Sequence, residues 1–112
     1  MPANKWRNIM IEACPEKLVH IITTSILEEK IEEVLNASGV NGFTLFDVRG
    51  SGASGFQSGH LEGETNVMFM TVVSKKIYET LLENLNVYTR RGHHLIIFTS
   101  DVDMITPSKF DK

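Results

Sequence analysis

The stretch GVNGFTLFDVRGSG, residues 39–52, decides how the rest of the chain is read. It opens on a glycine placed to stop a helix. An alternating run, Phe43–Arg49, follows, with Thr44, Phe46 and Val48 on one side and Phe43, Leu45, Asp47 and Arg49 on the other, the period-two pattern of a strand. It closes on Arg49-Gly50-Ser51-Gly52, where glycines at alternate positions can turn successive backbone N–H groups into a concave nest that holds an anion, with Arg49 as a charge-assisted donor beside it. A bare Gly-Ser-Gly is also what a plain hairpin loop needs. It is not a P-loop, because no Gly-Lys-Ser/Thr follows.

Upstream, Lys17–Thr23 alternates as a first strand, with Leu18, His20 and Ile22 on one face and Val19, Ile21 and Thr23 on the other. Ser25, with Glu28 three positions on, reads as a capping box opening a helix. Leu27, Ile31, Val34 and Leu35 form its apolar stripe, and Gly39 sits in the C′ position. The acidic residues Glu28, Glu29, Glu32 and Glu33 form a solvated face rather than a catalytic carboxylate pair. Residues 1–16, with Pro2, Pro15 and the lone Trp6, lack periodicity and read as an N-terminal arm ahead of a domain spanning residues 17–112.

Downstream lies a cluster of five of the chain's eight glycines, Gly50, Gly52, Gly55, Gly59 and Gly63. A third strand is expected over Glu64–Val73, and a second helix capped by Ser74 with Tyr78, Leu81, Leu82 and Leu85 inward. Asn86–His93 reads as a polar turn carrying Thr89, Arg90, Arg91 and Gly92, His94–Val102 as a fourth strand, and the residues beyond as a short tail. The order βαββαβ, with right-handed crossovers, predicts an α+β ferredoxin-like fold: a four-stranded antiparallel sheet with both helices on one face and a long loop, residues 50–63, between strands 2 and 3. The other face would then bare Phe43 or Phe46, Met68 or Phe69, and Ile96 or Ile97, and self-association is the simplest cover for it.

Composition narrows the function. The 112 residues are 42% hydrophobic and 22% charged with a net charge of −3, which fits one globular domain and argues against a nucleic-acid binder. The sheet aromatics lack the Lys/Arg-Gly-Phe-Gly-Phe pattern of RNA-recognition domains. No run approaches the ~20 apolar residues of a membrane span, and no secretory signal pattern opens the chain, so a cytoplasmic protein is expected. Cys14 stands alone and cannot form an internal disulfide. His93 and His94 point to opposite sides of an extended chain, which argues against a shared metal ion, and no metal site is expected.

The pattern Gly39-Val-x-Gly-Phe-Thr-x-x-Asp-Val-Arg-Gly-x-Gly52 closely resembles the PII signalling proteins, where it ends the first helix, forms the second strand and starts the T-loop. The similarity covers roughly residues 17–102. Ser58-Gly59-His60, Glu64–Phe69 and Leu95–Phe98 running to Lys109-Phe110 resemble the PII-like proteins of inorganic-carbon metabolism, which include the SbtB type and the carboxysome-associated PII proteins.

The resemblance implies a homotrimer that binds adenine nucleotides (AMP, ADP, ATP or cyclic AMP) in clefts between subunits, without enzymatic activity. Ile22 and Val72 would line the adenine pocket, Thr44 would lie beside the base, and Arg49, Gly50, Ser51 and Gly52 at the T-loop root would hold phosphates. Arg90, Arg91 and Gly92 stand where the family's B-loop adds phosphate contacts. The carbon branch suggests bicarbonate as a second ligand near Arg49, Gly50 and Gly52, and a membrane bicarbonate transporter as partner, so that the loop 50–63 reports ligand state to carbon uptake or fixation. The loop has no tyrosine for uridylylation. Ser54 and Asn66 stand where 2-oxoglutarate sensing needs glutamine and lysine, and no cysteine follows Cys14 to form a C-terminal redox pair. Two rival readings remain. One is a weak nucleotide phosphohydrolase using Asp47 and Glu62. The other is a metal-responsive, copper-tolerance-type trimer binding through His60 or His93.

Overall fold

A computed structural model describes residues 11–50 and 65–107 of the chain. Four strands and two helices alternate as expected: β1 (Ile11–Thr24), α1 (Glu28–Ala37), β2 (Thr44–Val48), β3 (Asn66–Val73), α2 (Lys75–Arg90) and β4 (Ile96–Pro107). The strands form one sheet in the order β2-β3-β1-β4, and every neighbouring pair is antiparallel. This is the ferredoxin-like α+β arrangement that the βαββαβ order predicts.

Alternation along the strands sorts the sheet into two faces. Val19, Ile21 and Thr23 of β1, with Val67, Phe69, Thr71 and Val73 of β3, are buried beneath the helices. They meet Ile31, Val34 and Leu35 of α1 and Leu81 and Leu85 of α2, and together these form the core with Leu27 and Val40. Phe69 is fully buried at its centre, with the Phe43 ring edge-on at 5.4 Å between centroids. Burying each such side chain contributes about 1.5–3 kcal/mol, so this face supplies most of the stability. Tyr78 and Leu82, expected on the inward side of the second helix, are only half-buried.

Among the described residues, no helix packs on the sheet's other face. Register aligns Thr44, Met70, His20 and Phe98 in one row across it, and Phe46, Met68, Ile22 and Ile96 in the next. Phe46, Ile96 and Phe98 are exposed. The alternatives open in the sequence are thereby resolved: Phe46, Met68 and Ile96 stand on the bare face, while Phe69, with Phe43 edge-on to it, and Ile97 belong to the helix side.

Both helices end in the same way. After α1, the Gly39 N–H donates to the Asn36 carbonyl (3.2 Å) and the Val40 N–H to Leu35 (3.0 Å), with Gly39 at φ +95°. After α2, the Gly92 N–H donates to Thr89 (3.0 Å) and the His93 N–H to Tyr88 (3.2 Å), with Gly92 at φ +92°. These are paired Schellman closures, each with glycine in the left-handed region that L-residues avoid.

Several boundaries differ from the sequence expectation. The first strand starts at Ile11, not Lys17, and the fourth runs to Pro107, not Val102, because Ile11–Glu16 and Val102–Pro107 pair with each other beyond the end of β3. Ladder pairing supplies the order that the local pattern lacks. The Ser25–Glu28 capping box does not form. β1 continues through Thr24, which pairs with Asn66, and Thr24 Oγ1 accepts the Ile26 N–H (3.4 Å) to cap a single 3₁₀ turn, Ser25–Leu27. Ser25 instead ties down the chain entering β3: its N–H donates to the Thr65 carbonyl (2.7 Å) and its Oγ accepts the Thr65 N–H (3.4 Å). Ser74 does cap α2, accepting the Ile77 N–H (3.3 Å). The expected polar turn Asn86–His93 is mostly helix, since α2 runs to Arg90. Strands 2, 3 and 4 are each trimmed by one or two residues at the ends where they meet loops.

Candidate functional site

The antiparallel register brings four strand ends to one edge of the molecule. Val48 at the end of β2 pairs with Asn66 at the start of β3, Asn66 pairs with Thr24 at the end of β1, and Ile22 pairs with Ile96 at the start of β4. Arg49 and Gly50 leave β2 at this edge, both exposed, and the space around the Gly50 Cα is open. The Ser25–Thr65 pair of hydrogen bonds fixes the far side of the same loop root. Ser51, Gly52 and the remainder of the glycine-rich loop, with Ser54, Ser58, His60 and Glu62, lie outside the described residues, as does Trp6.

The Arg90–Gly92 turn reaches the same edge from above. Thr23 Oγ1, fully buried at the end of β1, donates to the His94 carbonyl (2.9 Å) and so holds the segment between α2 and β4 against the sheet. Arg91 lies over the Tyr88 ring, 5.7 Å from its centroid, and His93 packs against the same ring, with ring centroids 5.8 Å apart. Arg90 is exposed on the last helical turn, where a cation complements the helix dipole.

The sequence-predicted residues fall into two groups, one on a sheet face and one at the loop-root end. Ile22, Thr44 and Val72 all stand on the helix-free face. Ile22 lies opposite Met68, and Val72 opposite Leu18, four positions along the strands, about 13 Å. Arg49 and Gly50 leave the β2 border of the sheet, whereas Arg90–Gly92 lead into the β4 border, three strand spacings or about 14 Å across. The two arginine sets thus approach the loop-root end from opposite borders of the sheet.

A groove among the described residues lies elsewhere. It measures about 550 Å³, runs between α2 and the border strand β4, and is lined by Tyr78, Leu82, Asn86, Thr89, Ile97 and Thr99 among others. None of the sequence-predicted site residues lines it, although Thr89 directly precedes Arg90. Sequence reasoning missed this wall because it assigned Asn86 and Thr89 to a turn. The available signal was Gly92, a C′ glycine with Arg90 in the turn before it, which marks a helix end rather than a loop centre. Among the described residues there is no group of three or more His, Cys, Asp or Glu side chains placed to hold a metal ion, and no helix long and apolar enough to cross a membrane. Asn66, at the position discussed for 2-oxoglutarate, is buried in the ladder.

The fold recurs among known proteins. Among solved structures, a PII-like signalling protein of Thermus thermophilus is 29% identical, with a TM-score of 0.68 over 83% of this chain and 92% of its own. The PII-like protein CPII of Thiomonas intermedia, bound to ADP and bicarbonate, is 26% identical, with a TM-score of 0.72 over 90% of this chain and 97% of its own. CPII bound to ADP, AMP and acetate gives 25% identity and a TM-score of 0.73 over 88% and 97%. No curated protein matches the chain. The family profile described as nitrogen regulatory protein P-II matches residues 16–109, nearly the whole described fold, and the chain therefore belongs to the P-II family.

Proposed function

We propose that this chain is a non-enzymatic PII-like regulator that assembles as a homotrimer and binds an adenine nucleotide in the clefts between copies, with bicarbonate as a second ligand. The observation that carries the reading is the similarity, along 90% of the chain, to a P-II relative bound to ADP and bicarbonate. The placement of the loop root and the α2 terminus on opposite borders of the sheet is one that a cleft between copies accommodates. Arg49 and Gly50, with Ser51 and Gly52, take the phosphates on one side of the cleft. Arg90, Arg91 and Gly92 approach them from the other, and Ile22, Thr44 and Val72 give the base an apolar wall. Bicarbonate, a small anion, competes for or extends the Arg49 and Gly50–Gly52 donors. The loop 50–63 transmits the ligand state to a protein partner, for which a membrane bicarbonate transporter is the candidate. This makes the chain a regulator of inorganic-carbon uptake or fixation of the SbtB or carboxysome-associated kind.

Calorimetric titration with AMP, ADP, ATP and cyclic AMP, each with and without bicarbonate, tests the reading. Arg49 is exposed, so Arg49→Ala should leave stability within about 0.5 kcal/mol of the parent. Loss of a charge-assisted phosphate contact, about 1.5–3 kcal/mol, should weaken nucleotide binding by about tenfold or more. Absence of any adenine-nucleotide binding defeats the proposal, and unchanged affinity in Arg49→Ala removes the assigned site.

A further inference from the structure

The two helices differ in one respect at otherwise matching closures. Leu35 of α1 and Tyr88 of α2 occupy the same place, four residues before Gly39 and Gly92. The Leu35 carbonyl accepts the Ser38 N–H (3.2 Å) and the Val40 N–H (3.0 Å), and the Tyr88 carbonyl accepts the Arg91 N–H (3.1 Å) and the His93 N–H (3.2 Å). The closure therefore needs no aromatic ring. The Tyr88 ring packs against the core and holds two further groups, Arg91 at 5.7 Å and His93 at 5.8 Å from its centroid. A cation within about 6 Å of a ring centroid is attracted to the ring face. A guanidinium held there keeps its fork of N–H donors free for a phosphate. Among the described residues, neither Arg90 nor Arg91 joins an ion pair or donates a side-chain hydrogen bond, and only Arg91 has a ring beside it.

We propose that Tyr88 is a positioning residue for phosphate: its ring holds the Arg91 guanidinium in place before a ligand arrives, which makes Arg91 rather than Arg90 the principal donor of this turn. This rests on the reading above, in which a nucleotide phosphate is held beside Arg90–Gly92. An arginine free in solvent loses rotamer freedom when a ligand immobilises it, and that loss weakens binding. Arg91 has surrendered part of that freedom already. Its backbone is tied to the Tyr88 carbonyl, the chain beyond Gly92 is tied to Thr23 through the His94 carbonyl (2.9 Å), and its side chain lies over a ring anchored in the core. Arg90, exposed on the last helical turn, would have to be ordered by the ligand itself.

Calorimetric titration of the full chain with ADP tests this. Arg91→Ala should weaken binding about tenfold or more, and Arg90→Ala less. Tyr88→Leu gives α2 the residue that closes α1, and should weaken binding about two- to fivefold, the worth of an exposed cation–π contact. Tyr88→Phe keeps the ring and should stay within about twofold of wild type. In an Arg91→Ala background Tyr88→Leu should cost nothing more, whereas a merely structural role would lower affinity there as well. Unchanged affinity in Arg91→Ala, a larger loss in Arg90→Ala, an undiminished effect of Tyr88→Leu without Arg91, or equal losses in Tyr88→Phe and Tyr88→Leu overturns the inference. Proton NMR of the wild-type chain is a check that needs no variant. The Tyr88 ring current should displace the Arg91 side-chain signals and ADP should move them further; Arg91 signals at their free-chain positions, or unmoved by bound ADP, also overturn it. A wild-type chain that binds no ADP instead defeats the nucleotide reading itself.

Discussion

Replacing Gly92 by alanine isolates one physical quantity at the edge where the site is expected. Gly92 sits at φ +92°, and a Cβ added there would meet nothing within 4 Å. The substitution therefore creates no clash and no useful contact; it imposes only the backbone penalty of an L-residue in the left-handed region, about 1–2 kcal/mol. Alanine also restricts the unfolded chain, but that gain does not offset a native φ it cannot adopt freely. A net loss of about 1 kcal/mol is expected. With a urea slope near about 2 kcal/mol per M, the unfolding midpoint should fall by about 0.5 M. Gly39→Ala provides the comparison. Its φ is +95°, and its added Cβ would lie 3.7 Å from Ile77 Cδ1, an ordinary contact, so its cost should match or fall slightly below that of Gly92→Ala. Gly92→Asn should cost less than alanine, because asparagine visits the left-handed region more readily. Urea unfolding at one fixed protein concentration reads all three, since assembly would make the midpoint concentration-dependent. The reasoning is refuted if Gly92→Ala leaves the midpoint unchanged, or if asparagine costs as much as alanine.

Other outcomes follow from particular contacts. Phe69→Ala empties the fully buried centre of the core beside Phe43 and should cost about 3–5 kcal/mol in denaturant unfolding. Ser38 Oγ donates to the Val34 carbonyl (2.7 Å) and accepts from Asn84 Nδ2 (2.8 Å), joining the end of α1 to α2. Ser38→Ala and Asn84→Ala should each cost about 1 kcal/mol or more, and the double variant less than their sum, as a double-mutant cycle would show. Lys17 bonds to Asp101 across β1 and β4, and that hydrogen bond holds the carboxyl below its ordinary value of 3.8 and raises the ammonium above 10.5. The carboxylate's contribution is complete above 3.8 and is lost as pH falls through its lowered folded value. The ammonium's contribution is complete below 10.5 and is lost as pH rises through its raised one. The midpoint difference between Asp101→Asn and the parent should therefore be level across the neutral range and shrink at both extremes. Both groups are open to solvent, so that difference should be small.

Much of the site's scaffold was legible because it rests on local patterns. Alternation in residues 17–23 and 43–49 located two strands, a third was expected over 64–73, Ser74 and Gly39 marked helix ends, and Arg49-Gly50 marked the loop root. The errors occurred where a distant partner outweighed the local signal. Ser25 looks like an N-cap, but its backbone and hydroxyl are engaged by Thr65, far along the chain, so Thr24 takes the capping role. Residues 11–16 carry no strand period, yet they pair with 102–107 because each supplies the other's hydrogen bonds. Asn86–Arg90 is polar because the helix there faces solvent and an open groove, not because the chain turns.

By itself, the sequence determined the element order, the antiparallel ferredoxin-like fold and the P-II family, because periodicity and glycine placement are written residue by residue. Only the tertiary structure decided which of the paired aromatics stand on the bare face, since a strand's two faces are told apart by what packs on them. It also placed Arg49 and Arg90–Gly92 at one end of the sheet but on opposite borders, a separation set by the strand order β2-β3-β1-β4. And it left His20 Nδ1 buried against Phe98 with no partner, because partners are a property of neighbouring strands and not of the strand that carries the residue.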